Sequence, residues 1–123
     1  SLTSEYVKQR MIFGKPLSSF QNTQFKLAQL YTEYNLAQHY LDQLLLDYMA
    51  GKKDINTDCS MIKYYISELA FRAADQCVQM FGGYGVSSEM PISKQFCDAR
   101  IMRFMGGTTE TQIGVVASGI GIK

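Results

Sequence analysis

Phe20 to Tyr48 reads FQNTQFKLAQLYTEYNLAQHYLDQLLLDY, and in it Phe20, Leu27, Leu30, Tyr34, Ala37, Leu41, Leu44 and Tyr48 recur at steps alternating between three and four, apart from one step of seven. That spacing lays one apolar stripe along a helix of about eight turns. Ser18, with Gln21 three residues on, has the form of a capping box that opens it, and Gly51, in the polar stretch Gly51-Lys52-Lys53-Asp54, closes it. A second stripe, Ile66, Ala70, Ala73, Cys77 and Met80, predicts another long helix from Asn56 or Thr57 to a stop at Gly82. Two long helices joined by a short turn are antiparallel neighbours.

Shorter segments flank that pair. Glu5 to Ile12 reads as the end of a helix with no good N-cap, broken by Phe13-Gly14-Lys15-Pro16, as in the tail of a longer chain. Pro91 suits the first turn of a helix running to about Phe104, and a last helix starts near Thr108 and ends at Gly119 and Gly121. The expected fold is all-α, an up-and-down four-helix bundle, with residues 1–123 forming a single domain.

Composition agrees with one packed core. Hydrophobic residues at 46% and charged residues at 19% are globular values, and 123 residues are too few for two separate cores. A net charge of +1 gives no electrostatic case for nucleic acid or an anionic membrane. No apolar run approaches the roughly 20 residues of a membrane span, and the first residues lack a signal peptide's apolar stretch, so the expectation is a soluble intracellular protein. Cys59, Cys77 and Cys97, odd in number and without CxxC spacing, are expected to be reduced and mostly small core residues.

The chemistry-bearing stretch is Gln79 to Glu110, with glycine clusters at Gly82-Gly83-x-Gly85 and Gly106-Gly107 and a threonine-rich helix start at Thr108-Thr109-Glu110. Glycine lets backbone N–H groups approach a ligand, and a helix N-terminus has unpaired N–H groups suited to phosphate or carboxylate. The competing reading makes Gly82 or Gly83 a helix stop and Gly107-Thr108 a cap. Other chemistries fail for want of residues. His39 is the single histidine, which excludes a bundle di-metal site built on Glu-x-x-His pairs around Glu33 or Glu68, and no metal ligand set is expected. It reads as a helix-face residue, too isolated to serve a serine or cysteine nucleophile. Asp98 and Arg100 are expected to fix a loop through charge-assisted hydrogen bonds.

Four segments in order carry a further likeness: Lys8-Gln9-Arg10-x-x-Phe13-Gly14-Lys15-Pro16-Leu17-x-x-Phe20-Gln21, Gln79-x-x-Gly82-Gly83-Tyr84-Gly85, Asp98-Ala99-Arg100 and Gly107-Thr108-x-Glu110. Together they resemble the C-terminal domain of FAD-dependent acyl-CoA dehydrogenases. The resemblance implies the C-terminal part of a three-domain enzyme, the core of a homotetramer arranged as a dimer of dimers, and part of an FAD site. By it, Arg10 contacts the flavin's pyrophosphate with Gln21 close by, the segment Gln79, Met80, Phe81, Gly82, Gly83 meets the adenosine end across a subunit interface, and Thr108, Thr109 and Glu110 also contact FAD. Gly106 and Gly107 line the reacting end of an acyl-CoA substrate, and electron-transfer flavoprotein is an expected acceptor. The expected compartment is the cytoplasm, or the mitochondrial matrix in a eukaryote.

Three positions depart from the family pattern. Many members carry their catalytic glutamate where this chain has Gly106. Members like the long-chain and isovaleryl dehydrogenases have a small residue there and take the base from a preceding helix, which leaves no catalytic base within these 123 residues. Cys97 stands where arginine is common and Phe81 where histidine is frequent, the latter changing the polarity of the segment that meets the cofactor. Two rival readings keep the fold: a catalytically silent helical assembly module, and an acyl-CoA oxidase-type flavoprotein.

Overall fold

The computed structural model describes residues 1–122. Its elements, in chain order, are α1 (Leu2–Gln9), the two-residue strands β1 (Met11–Ile12) and β2 (Lys15–Pro16), a 3-10 turn (Leu17–Ser19), α2 (Gln21–Met49), α3 (Asn56–Phe81), a second 3-10 turn (Gly82–Val86), α4 (Pro91–Met102) and α5 (Thr109–Gly119). The all-α expectation is borne out, and the two long helices are joined as the sequence implied. Gly51 sits at φ 81 just past α2, Lys52 N–H donates to the Asp47 carbonyl at 3.1 Å and Gly51 N–H to the Tyr48 carbonyl at 3.0 Å. This Schellman pair closes the last turn and sends the chain back.

Every other helix packs on α3. Ala37 and Leu44 of α2 meet Ile62 and Leu69 of α3, with Leu30, Leu41, Ile55 and Ile66 packed against them. Glu33 and Arg72 pair across the same two helices, and the Tyr40 hydroxyl donates to Asp58 at 2.7 Å. Helix α1 packs on the C-terminal half of α3, burying Thr3 and Val7. Glu68 of α3 reaches both the end of α4 at Arg103 and the start of α5 at Thr109, while Gly119 at the far end of α5 lies against Thr57. The two short helices therefore follow one another down α3, with the Gly106-Gly107 turn between them.

This arrangement modifies several expectations. Of the proposed α3 stripe only Met80 is buried, and Ser60, Ile62, Ser67, Leu69, Ala74 and Phe81 are buried around the rest of the helix. A helix packed on several sides has no single apolar face. On α2, Tyr34 and Tyr48 of the stripe stay exposed. Cys59 and Cys97 are exposed and Cys77 half-buried, so the cysteines are free thiols but not core residues.

The expected helix over Glu5 to Ile12 ends instead at Gln9, because Phe13 (φ 49) and Gly14 (φ 74) form a two-residue hairpin turn that pairs Ile12 with Lys15. Two successive positive φ values match the twist of a tight hairpin and end helical geometry. That helix does have a cap, since the Ser1 side chain accepts from Ser4 N–H. The Ser18/Gln21 capping box does not form. Ser18 belongs to the 3-10 turn, Phe20 is the cap of α2, and Gln24 Nε2 donates back to the Ser18 carbonyl at 2.9 Å.

Among the described residues no helix is long and apolar enough to cross a membrane. Two glycines separate backbone strain from steric need. A Cβ at Gly51 meets nothing within 4 Å, whereas one at Gly85 falls 2.5 Å from the Val78 carbonyl oxygen. Gly51→Ala is expected to cost about 1 kcal/mol through its positive φ alone. Gly85→Ala should cost ~1–3 kcal/mol through overpacking, and urea midpoints of the two variants check that order.

Candidate functional site

Residues singled out in the sequence gather in two places, one at each end of the second half of α3. At the first, Arg10 caps α1 in an extended conformation and its Nη1 donates to the Met80 carbonyl at 2.5 Å. A cation at a helix C-terminus meets the negative end of the helix dipole. Gly82 ends α3 at φ 64, and a Cβ there would lie 2.7 Å from Arg10 Nη2. Glycine is thus required both by the backbone and by the guanidinium that lies across it.

Under that contact the Tyr6 ring stacks on Phe81, with centroids 3.9 Å apart and planes 8° from parallel. Phe81 is 0% exposed. Its side chain therefore belongs to the core, and the expectation that Phe81 alters the polarity of a ligand-facing surface is corrected. Met80 is also buried and presents its carbonyl to Arg10, whereas Gln79 and Gly83 are exposed beside it. Gln21 is exposed at the first turn of α2, behind the 3-10 turn whose Leu17 N–H donates to the Arg10 carbonyl at 2.8 Å.

The second place is the turn between α4 and α5. Gly106 (φ 65) and Gly107 (φ 96) both need left-handed backbone. The Gly106 carbonyl accepts from Gln112 Nε2 at 2.8 Å, and the Gly107 carbonyl accepts from Lys63 Nζ. Thr108 caps α5, its hydroxyl accepting from Thr111 N–H. Thr109 is buried, its hydroxyl donating to Glu68 Oε1 at 2.9 Å, where Arg103 Nε also donates at 2.6 Å. Of the three residues expected to meet a cofactor here, Thr108 and Glu110 remain accessible while the Thr109 hydroxyl is occupied within the chain. A Cβ at Gly106 would meet nothing within 4 Å, so the turn offers open space where a side chain could stand.

Lys63, Glu68 and Arg103 are the polar residues that sequence reading missed as parts of this place. Lys63 and Glu68 look like the solvated face of a long helix, and only the docking of α4 and α5 gives them partners. Asp98 and Arg100 do not fix a loop. Both lie on α4, where Asp98 pairs with Lys94 at 2.5 Å and the Arg100 guanidinium lies 4.6 Å from the centre of the Phe104 ring. His39 is exposed on α2 with Nδ1 2.9 Å from the Asn35 carbonyl oxygen. No group of three metal-ligating side chains occurs among the described residues.

Comparison with known proteins gives a consistent result. The family model for the acyl-CoA dehydrogenase C-terminal domain matches residues 1–121. The mitochondrial long-chain specific acyl-CoA dehydrogenase of Rattus norvegicus is 39% identical over 115 residues, which cover 94% of this chain and 26% of that protein. The crystal structure of an acyl-CoA dehydrogenase from Geobacillus kaustophilus superposes with a TM-score of 0.95 at 39% identity, covering 98% of this chain and 32% of that one. An FAD complex of PigA superposes with a TM-score of 0.91 at 26% identity, covering 98% of this chain and 31% of that one. The chain thus spans about a quarter to a third of the length of these relatives.

The accessible end of α5 has an electrostatic signature. The Glu110 carboxyl is held below its ordinary value of 4.5, first by its own backbone N–H and then by the Thr108 hydroxyl, with lesser help from the Arg103 and Arg100 charges. A depressed carboxylate stabilises the fold above its unfolded value, and that contribution disappears as pH falls through the folded value. Carboxyl NMR titration should show Glu110 ionising below 4.5, and Thr108→Ala should move it back up towards 4.5.

Proposed function

This chain belongs to the acyl-CoA dehydrogenase family, and from that membership we propose that the intact protein oxidises acyl-CoA thioesters to trans-2-enoyl-CoA, with these 123 residues as its C-terminal helical domain. The observation that carries the proposal is the state of Arg10. Its guanidinium is held over Gly82 by the Met80 carbonyl, yet no carboxylate pairs with it among the described residues. A guanidinium has five N–H donors, and those left over suit the two phosphates of a dinucleotide. The chain's residues therefore fit FAD, as does the FAD complex among its structural neighbours.

In this reading Arg10 binds the pyrophosphate, and the Gln21 and Gln79 amides with the Gly82-Gly83 backbone hold the nucleotide end. Met80 and Phe81 contribute main chain only, since their side chains are buried. Thr108 and Glu110 approach FAD from the α5 N-terminus, and Thr109 orients that end through Glu68. Gly106 and Gly107 line the acyl chain, and the open space at Gly106, where a Cβ would meet nothing within 4 Å, leaves room for it. When bound, FAD supplies the hydride acceptor. The base that removes the α-proton comes from outside these residues, because the family position for a local glutamate is Gly106.

The outward side of α2, with Tyr31, Leu36, Leu46 and Met49 exposed, supports burial in a homo-oligomer, proposed as a dimer of dimers. The remaining domains complete a three-domain polypeptide, and electron-transfer flavoprotein is the proposed acceptor. The proposed compartment is the cytoplasm, or the mitochondrial matrix in a eukaryote.

The test uses the complete flavoprotein that carries this domain. Anaerobic addition of acyl-CoAs of graded length should bleach the flavin absorbance band for one length class. Flavin that binds and never bleaches would assign the chain to a silent relative, and rapid reoxidation by oxygen after bleaching would assign it to an oxidase. Arg10→Ala should weaken FAD binding about 10- to 100-fold, the loss of one or two charge-assisted hydrogen bonds, as read by flavin fluorescence titration.

A further inference from the structure

The turn between α4 and α5 has an unusual means of support. Its apolar residues do not hold it, since Phe104 is 55% and Met105 64% exposed. Gly106 and Gly107 have no side chains to pack, and their left-handed backbone gives no preference that would fix a single path. What holds the turn is polar and comes chiefly from α3, with Gln112 Nε2 of α5 adding one bond to the Gly106 carbonyl at 2.8 Å. Lys63 Nζ takes the Gly107 carbonyl, and one carboxylate oxygen, Glu68 Oε1, takes donors from both ends of the segment, Arg103 Nε at 2.6 Å and Thr109 Oγ1 at 2.9 Å. Thr109 N–H closes the same segment on the Arg103 carbonyl at 3.2 Å.

We infer that Glu68 is a positioning residue for the Gly106-Gly107 turn, setting the distance between its two ends and hence the wall it presents to the acyl chain. The inference rests on the dehydrogenase reading for its catalytic consequence, though not for the clamp itself. Glu68 touches no reacting atom in this account. It acts through Arg103 and Thr109, and its two hydrogen bonds are charge-assisted and part-buried, which makes them stronger than neutral ones. Without Glu68 the glycine carbonyls keep Lys63 and Gln112 but the two ends of the segment lose their common anchor. A displacement of about an ångström in a wall near reacting atoms costs on the order of 100-fold in rate.

Glu68→Ala and Glu68→Gln in the complete flavoprotein separate positioning from bulk stability. The amide oxygen of glutamine can accept both hydrogen bonds, so geometry survives in Glu68→Gln and fails in Glu68→Ala. Per bound flavin, kcat of Glu68→Ala should fall about 10- to 100-fold with KM for acyl-CoA changed by less than about threefold, and Glu68→Gln should recover most of the loss. Hydrogen exchange at the Thr109 amide gives a reading that needs no turnover. It should quicken by about tenfold in Glu68→Ala and stay near wild type in Glu68→Gln.

Unchanged kcat per flavin in Glu68→Ala would overturn the catalytic consequence, as would equal losses in both variants that follow their melting temperatures. Unchanged exchange at Thr109 would overturn the clamp. A wild-type protein that shows no bleaching, while exchange still depends on Glu68 as described, would sink the dehydrogenase reading and leave the clamp standing.

Discussion

The structure depends on α3 being packed on several sides. Its buried residues, from Ser60 through Leu69 and Ala74 to Phe81, do not form a stripe, because α1, α2, α4 and α5 each need part of its circumference. Small residues make that possible. Ser60, Ser67, Ala70, Ala73 and Ala74 let neighbouring backbones come close, and Ser67 satisfies its hydroxyl on the Lys63 carbonyl at 2.8 Å within its own helix. Once its neighbours dock, Lys63 and Glu68 of α3 acquire partners that solvent would otherwise supply.

Both candidate regions are therefore attachments to the same rod. Arg10 reaches the C-terminal carbonyls of α3, and the Gly106-Gly107 turn hangs from Lys63 and Glu68 several turns earlier. The spacing between the two regions is then a property of a regular helix rather than of loops. Loops carry the candidate ligand-facing groups, while a rigid element sets where they stand.

The sequence showed its local signals well. Gly51 and Gly82 as helix ends, Pro91 as a helix start and Thr108 as a cap were all legible, because each follows from one residue's backbone preference or side-chain reach. The Ser18 box was misleading because a capping pair has to compete with its neighbours, and Pro16 and Leu17 lead into a 3-10 turn that takes Ser18 with it. Phe13 gave no warning of left-handed geometry, since glycine at position 14 signalled a break but not a hairpin. Glu68 with Arg103 was out of reach for a different reason: the two are 35 residues apart, and only the docking of α4 brings them together. The four family segments carried what pattern reading alone could not.

The sequence separations in the fold also imply an order of events. The α2–α3 hairpin is closed by a short turn, so its contacts demand little loop-closure entropy, whereas Arg10 and Met80 are 70 residues apart. Contacts of the first kind can nucleate folding and those of the second kind form afterwards. By that ordering the Arg10 junction forms after the α2–α3 hairpin. A ligand that bridges Arg10 and the end of α3 would act as a latch on that late step, slowing the release of α1 without touching the hairpin that started the fold.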